Sequence, residues 1–346
     1  MGSSKNVRLE VPHRAKLYVP LSANMLEAIR KPISQELEQY TQLFRQALTC
    51  DNALLTAALT HLTRHLGKML RPTLVLLCAR EGGCVTAEAM HAAAGLEMLH
   101  TASLVHDDVV DESDMRRGQR SINALWDNKT AVLVGDFITS KALTEIAQTD
   151  NIEVVRLMAK LGQTLADGEL QQLNATQGQT FSEAVYFDVI SKKTATLFAT
   201  CARMGALLGG ANEQCIERLE HYGQLMGLCF QIRDDIFDFE EDLNVGKPKG
   251  NDMAEGKLTL PTLYALNSLA DDHARHLALR VRNLEASKLE IQELMEFTRQ
   301  QGGIDYAYRE MNRLRTEALE QLSDLHDHEV AEALTLYLDF VVKREM

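Results

Sequence analysis

Apolar residues along this chain recur at three- and four-residue steps, the period of one face of an α-helix. Between 86 and 106, Ala89, Ala93, Leu96, Leu99, Ser103 and His106 trace such a face. Residues 130–148, 151–174, 212–239, 302–324 and 328–345 repeat it, and Gly82-Gly83, Gly209-Gly210 and Gly302-Gly303 punctuate the segments. No stretch alternates convincingly as a strand does. Helix formers dominate and only 6 prolines interrupt 346 residues, so the pattern predicts an all-α fold. Ala195 to Leu208 is apolar on more than one side, as a central helix wrapped by others would be. No shift of composition marks a boundary. The expectation is one helical domain over 1–346, with about 20 flexible residues at its N-terminus.

Composition narrows the function. The hydrophobic content of 45% is enough for a large core. Against 36 Lys+Arg stand 49 Asp+Glu, a net charge of -13, which repels the phosphate backbone and argues against a nucleic-acid partner. Six cysteines (Cys50, Cys78, Cys84, Cys201, Cys215, Cys229) form no C-x-x-C pair, so they read as reduced thiols rather than a zinc site. No run approaches the ~18 apolar residues of a membrane span, and no basic start leads into a long apolar core. A cytosolic location is expected.

The chemistry sits in two matched clusters. Asp107, Asp108 and Asp111 end an apolar helix, and Asp107 and Asp111 share a face through their four-residue spacing. Such carboxylates repel unless a cation joins them, and with a diphosphate they form the hard oxygen set that Mg²⁺ favours. Alone, the cluster reads equally well as a solvated helix end in an acidic protein. The same step returns in Asp234, Asp235 and Asp238, again ending a long apolar helix. Across a bundle the two would form opposite jaws around Mg²⁺ and one diphosphate.

Cations supply the counterpart. Lys68 and Arg71 precede Pro72, which favours the first turn of a helix and should hold Arg71 extended before it. A helix N-terminus is a natural anion site. Arg116 and Arg117 follow the first aspartate cluster closely enough to reach a diphosphate there. The segment Gly246-Lys247-Pro248-Lys249-Gly250-Asn251-Asp252 has the chemistry of a loop and suits a lid that excludes water.

Taken together, GKxLRP (67–72), the HDDxxD and RRG runs (106–118), Lys193-Thr194, QxxDDxxD (231–238) and GKxxGxDxxxGK (246–257) resemble the trans-polyprenyl diphosphate synthases. The likeness runs from about residue 65 to 262 and is nearest to the octaprenyl and related long-chain enzymes. It departs at the first motif, where Leu66 and Met69 stand in place of a Gly and an Arg of the usual GGKR.

The resemblance implies antiparallel helices around a deep central cavity, a homodimer, and about three Mg²⁺ ions. Asp107, Asp111 and Asp234 would be the principal metal ligands, with Asp108, Asp235 and Asp238 ligating directly or through water. Lys68, Arg71, His100 and Arg117 would hold the diphosphate of isopentenyl diphosphate. Arg116, Lys193, Lys247 and Lys257 would hold that of the allylic substrate, and Thr194, the Lys193 carbonyl and Gln231 would offer dipoles to the allylic cation. His106 is left outside the site.

Short-chain relatives commonly block the cavity with aromatics where this chain has Ala102 and Ser103. Ala102 lies about 7 Å below Asp107 along the helix. The small side chains predict a product of six or more isoprene units (about C30–C45), suited to a quinone side chain. The floor would lie lower, near Leu143 and Ile146. Release of so long a lipid would involve transient contact with a membrane surface. A farnesyl or geranylgeranyl diphosphate synthase is the nearest alternative. A class I terpene cyclase fits less well, because aromatics make up 5% and Trp126 is the sole tryptophan; a regulatory subunit would be expected to have lost aspartates or arginines that this chain keeps.

Overall fold

The computed structural model describes residues 21–64, 67–116, 118–177, 181–240 and 250–344. The N-terminal helices are α1 (Leu21–Arg30), α2 (Ser34–Ala47) and α3 (Ala53–Thr63), the last opened by Asn52, whose side chain accepts from the Leu55 N–H. Then come α4 (Leu70–Gly82) and α5 (Ala87–Val110), with Thr86 capping α5. After a two-residue antiparallel pair, β1 (Met115–Arg116) with β2 (Gln119–Arg120), the chain forms α6 (Ile122–Leu125), α7 (Asn128–Ala147) and α8 (Ile152–Gln177). Next are α9 (Glu183–Ile190), a π-helical turn at Ser191–Ala195, α10 (Thr196–Gly209) and α11 (Glu213–Phe237). Finally, α12 (Asn251–Ala254), α13 (Leu260–Ser268), α14 (Asp272–Arg282), α15 (Lys288–Gln300), α16 (Gly303–Glu320) and α17 (His328–Lys343) complete the chain.

The predicted helices are present, with ends shifted by a few residues. α10 is the central helix its two-sided apolar pattern predicted: ten of its fourteen residues are buried, and it packs against α4, α5, α8 and α11. Its contact with α4 needs glycine. A Cβ on Gly209 would stand 2.0 Å from the Ala79 carbonyl oxygen, and one on Gly205 2.2 Å from that of Val75. Similarly, α5 and α7 approach closely because Gly135 leaves room for the His106 ring.

The structure adds one short element to the helices and corrects one expectation. The strand pair braces the turn after α5, where Ser121 Oγ donates to the Ser113 carbonyl at 2.6 Å; two-residue strands are too short to alternate. Arg71 is not extended before Pro72 but already helical, because α4 starts at Leu70 with Met69 left-handed (φ 40°) as its N-cap. Pro72 then falls within the first turn, where its missing N–H has no intrahelical partner to lose.

The apolar interior forms a large cluster spanning α1 to α11 and α16 to α17, and a smaller one among α12 to α15. α13 serves both, with Leu260 and Leu263 in the first and Leu266 in the second. Among the described residues no helix is long and apolar enough to cross a membrane.

Candidate active site

α5 and α11 each deliver their aspartates at the C-terminal end. Asp107 and Asp111 are one turn apart, and the Asp111 N–H bonds to the Asp107 carbonyl at 2.8 Å. Burial pushes the Asp107 carboxyl up to about 6, with Glu169 adding to the rise and Lys193 opposing it. Asp107 therefore faces α8 and the π turn. Asp108, 4% exposed, lies about 100° further round the helix and accepts from Arg116 Nε at 2.8 Å and Nη2 at 2.6 Å. Asp108 thus anchors the turn carrying Arg116, and the two expected ligands, one for metal and one for diphosphate, are here ligands of each other.

On α11, Asp235 is 2% exposed and accepts from Gln231 Nε2 at 3.0 Å and from the Tyr186 hydroxyl. Burial pushes its carboxyl up to about 7, held back by these hydrogen bonds and raised further by Asp234 and Asp238. Asp238 accepts the backbone N–H of Asn251 at 2.9 Å and of Asp252 at 3.2 Å, fixing the start of α12. Asp234 is ion-paired with Arg344, which also donates to the Phe230 carbonyl at 2.9 Å and lies 3.8 Å over the Phe230 ring. Among the described residues, no three Asp, Glu, His or Cys converge into a ready metal cluster, so Asp107, Asp111 and Asp234 do not meet at one point.

The π turn sets Lys193 and Thr194 between these poles; one extra residue per turn re-aims side chains, a device often found at functional sites. Lys193 Nζ is 2.8 Å from Glu169 and 3.3 Å from Gln172 Oε1. Thr194 Oγ1 donates to Gln231 Oε1 at 2.9 Å, completing a chain from Thr194 through Gln231 and Asp235 to Tyr186. Lys257 pairs with Glu255 at 2.6 Å, which overcomes burial and raises its pKa. A cavity of about 440 Å³ brings Lys193, Thr194, Gln231, Asp235 and Lys257 together.

The expected isopentenyl diphosphate site is less complete. Lys68 lies 5.3 Å over the Phe340 ring, its pKa lowered by burial and by Arg344. Arg71 lies 5.2 Å over Phe198, and His100 lines a separate cavity of about 160 Å³ with Glu97, Asp108 and Arg116. Arg117, Lys247 and most of the expected lid, 246–249, lie outside the described residues, as does Leu66. Ala102 is 1% exposed, and Ser103 Oγ donates to the His100 carbonyl at 2.9 Å. Ile146 packs against Gly95, whereas Leu143 is 56% exposed; this corrects its assignment to the floor of this chain's cavity, because it lies on the outer face of α7.

Several site residues were missed. Asp252 lines the cavity, its carboxyl pushed up to about 8 by burial, then by Asp235 and Asp238. It stands inside GKxxGxDxxxGK, which was the signal. Glu169, Gln172, Tyr186 and Arg344 carry no local signal, because only the packing brings them in.

Known proteins resemble this chain in sequence and in fold. The chain is 36% identical over 296 residues to octaprenyl diphosphate synthase of Haemophilus influenzae, covering 85% of this chain and 88% of that protein. It is 45% identical to a crystal structure of geranylgeranyl pyrophosphate synthase from Bacteroides thetaiotaomicron, with a TM-score of 0.82 over 93% of this chain and 100% of that one. A polyprenyl synthase from Caulobacter crescentus, solved with calcium and isoprenyl diphosphate, is 30% identical with a TM-score of 0.85, over 92% and 98% of the two chains. The polyprenyl synthetase profile matches residues 52–298, and the chain belongs to that family.

Proposed function

We propose that this chain condenses isopentenyl diphosphate with an allylic diphosphate to give a long-chain, all-trans polyprenyl diphosphate of about C30–C45. The observation that carries the reading is the pair of aspartate poles on α5 and α11 with Lys193 and Thr194 held between them. Similarity to an octaprenyl diphosphate synthase and the small residues Ala102 and Ser103 support the long product.

The donor set fits Mg²⁺. Carboxylates raised to about 6 and about 7 lack full compensation by the cations around them, and hard oxygen donors match this ion. Asp107, Asp111 and Asp234 would hold it, the last after parting from Arg344, with Asp235 and Asp238 in support; three ions is the proposed number. Calcium in the Caulobacter structure supports a divalent metal. The chemistry supplied by bound Mg²⁺ is neutralisation of charge on the departing diphosphate.

The chain's own residues do the rest. Lys193 and Lys257 bind the allylic diphosphate, and Lys68, Arg71 and His100 bind that of isopentenyl diphosphate. The allylic C–O bond breaks, the isopentenyl double bond attacks the allylic carbon, and a proton leaves. No protein nucleophile takes part. The Thr194 hydroxyl donates to Gln231 and so offers only lone pairs to the growing positive charge, a preorganised electrostatic contribution.

A cytosolic homodimer completes the proposal. Val132, Leu133 and Leu143 on α7 are 40%, 58% and 56% exposed, an apolar face that a second copy would cover. Asp107→Ala and Asp234→Ala should each abolish turnover while the helical circular dichroism stays intact; normal activity in either variant would remove the site assignment.

A further inference from the structure

Three contacts fix how α5 sits on α7, and their order shows that the two helices run antiparallel. Farthest from the aspartates, His91 Nδ1 lies 2.7 Å from the buried carboxylate of Glu145. One turn on, a Cβ at Gly95 would stand 2.8 Å from Ile146 Cγ1 and 3.0 Å from the Ala142 carbonyl oxygen. Nearest the aspartates, the His106 ring lies in the notch left by Gly135. A Cβ there would stand 2.2 Å from Nε2, 2.6 Å from Cδ2 and 2.9 Å from Cε1 of that ring.

The ring is directed as well as packed. His106 Nε2 lies 3.3 Å from the Val132 carbonyl oxygen and 3.5 Å from Asp136 Oδ1. Both partners are acceptors, so this nitrogen carries a proton and donates. His106 also immediately precedes Asp107, and successive residues stand about 100° apart around a helix. Asp107 is therefore flanked by His106 on one side and Asp108 on the other. Asp108 is tied to Arg116 at 2.6 and 2.8 Å, and His106 is tied to α7. With both flanks anchored, the last turn of α5 is held against rotation. Asp107 stays aimed towards Glu169 and Lys193, and Asp111, one turn on, shares that aim.

We infer that His106 is a positioning residue for the first metal pole: docked in the Gly135 notch and donating to the Val132 carbonyl, it sets the rotation of α5 that presents Asp107 and Asp111 to Mg²⁺. The inference rests on the proposed reading of those two aspartates as metal ligands. Removing a group that orients metal ligands without touching the metal typically costs about 10–100-fold in metal affinity or activity.

The test is titration of the full chain with Mn²⁺ alone, followed by the electron paramagnetic resonance signal of the free ion, together with the Mg²⁺ concentration that gives half-maximal turnover. His106→Ala should raise both the Mn²⁺ dissociation constant and the half-saturating Mg²⁺ about tenfold. His106→Gln, whose amide N–H can take the place of Nε2–H, should stay within about twofold of the wild type. Gly135→Ala, which drives the ring from its notch, should act like His106→Ala, and in the double variant the two losses should not add. A merely structural role would lower the melting temperature of His106→Ala and leave metal binding by the folded protein unchanged. Unchanged metal binding in His106→Ala, no recovery in His106→Gln, or losses that add in the double variant would each overturn the inference. Should Gly135→Ala not fold, the two His106 variants decide. Asp107→Ala, titrated alongside, reports on the metal reading itself. Undiminished Mn²⁺ binding there would remove that reading and the inference with it, whereas binding lost in Asp107→Ala but kept in His106→Ala would overturn the positioning role alone.

Discussion

The two most perturbed carboxylates of the proposed jaws, Asp107 and Asp235, have folded pKa values of about 6 and about 7 against 3.8 for an ordinary aspartate, with burial the main cause in each. Their sign is the reverse of a salt-bridged aspartate. The folded chain holds protons that the unfolded chain has released, so the stability tied to these groups is full below about pH 4 and is lost as pH rises to about 7. The melting temperature of metal-free protein should therefore fall between about pH 5 and pH 8, and Asp235→Asn should flatten that fall. A wild-type profile level across this range would contradict the assignment of buried, uncompensated carboxylates. At this scale the aspartates, Lys193, Thr194 and Gln231 were legible because each belongs to a short motif. Asp252 lay within a motif but gained its role only when its contact with Asp235 and Asp238 was seen. Glu169, Tyr186 and Arg344 were not legible, being 24, 49 and 110 residues away from their partners Lys193, Asp235 and Asp234.

Helices were readable from periodicity, because an element of ten or more residues prints its buried face on the sequence. The elements that shape the site were not. The strand pair at 115–120 is too short for a pattern, and the π turn at 191–195 answers to packing rather than to propensity. The start of α4 was misplaced by reading Pro72 as a boundary, when it lies inside the first turn. Glycine punctuation misled in another way: Gly209 ends a helix, and it also lets α10 touch α4. Gly209→Ala should destabilise the fold by about 1–3 kcal/mol through overpacking, read as a lower urea midpoint with unchanged slope. An unaltered midpoint would mean that the helices part freely. On α5, Ala102→Phe should shorten the product; unchanged chain length would sink the idea that the tail runs along this helix.

For the molecule as a whole, the two aspartate poles come from helices more than a hundred residues apart in sequence, and the packing of α10 against α5 and α11 places both ends in one region. The last helix closes the arrangement, since α17 delivers Phe340 beneath Lys68 and the chain just beyond it delivers Arg344 to Asp234. The all-helical class followed from the sequence pattern, and the division of the interior into two apolar clusters did not, because apolar periodicity records that a face is buried and not against which neighbour. The central claim is that this scaffold elongates an allylic diphosphate to a long chain. Its most direct test is to incubate the protein with farnesyl diphosphate, labelled isopentenyl diphosphate and Mg²⁺, with and without chelator, and to size the extracted products. Products of about six to nine isoprene units, absent with chelator, are the predicted result. Products of about three or four units would contradict the expectation that the small side chains at Ala102 and Ser103 leave room for a long tail, and no labelled product with any allylic primer would contradict the proposed reaction.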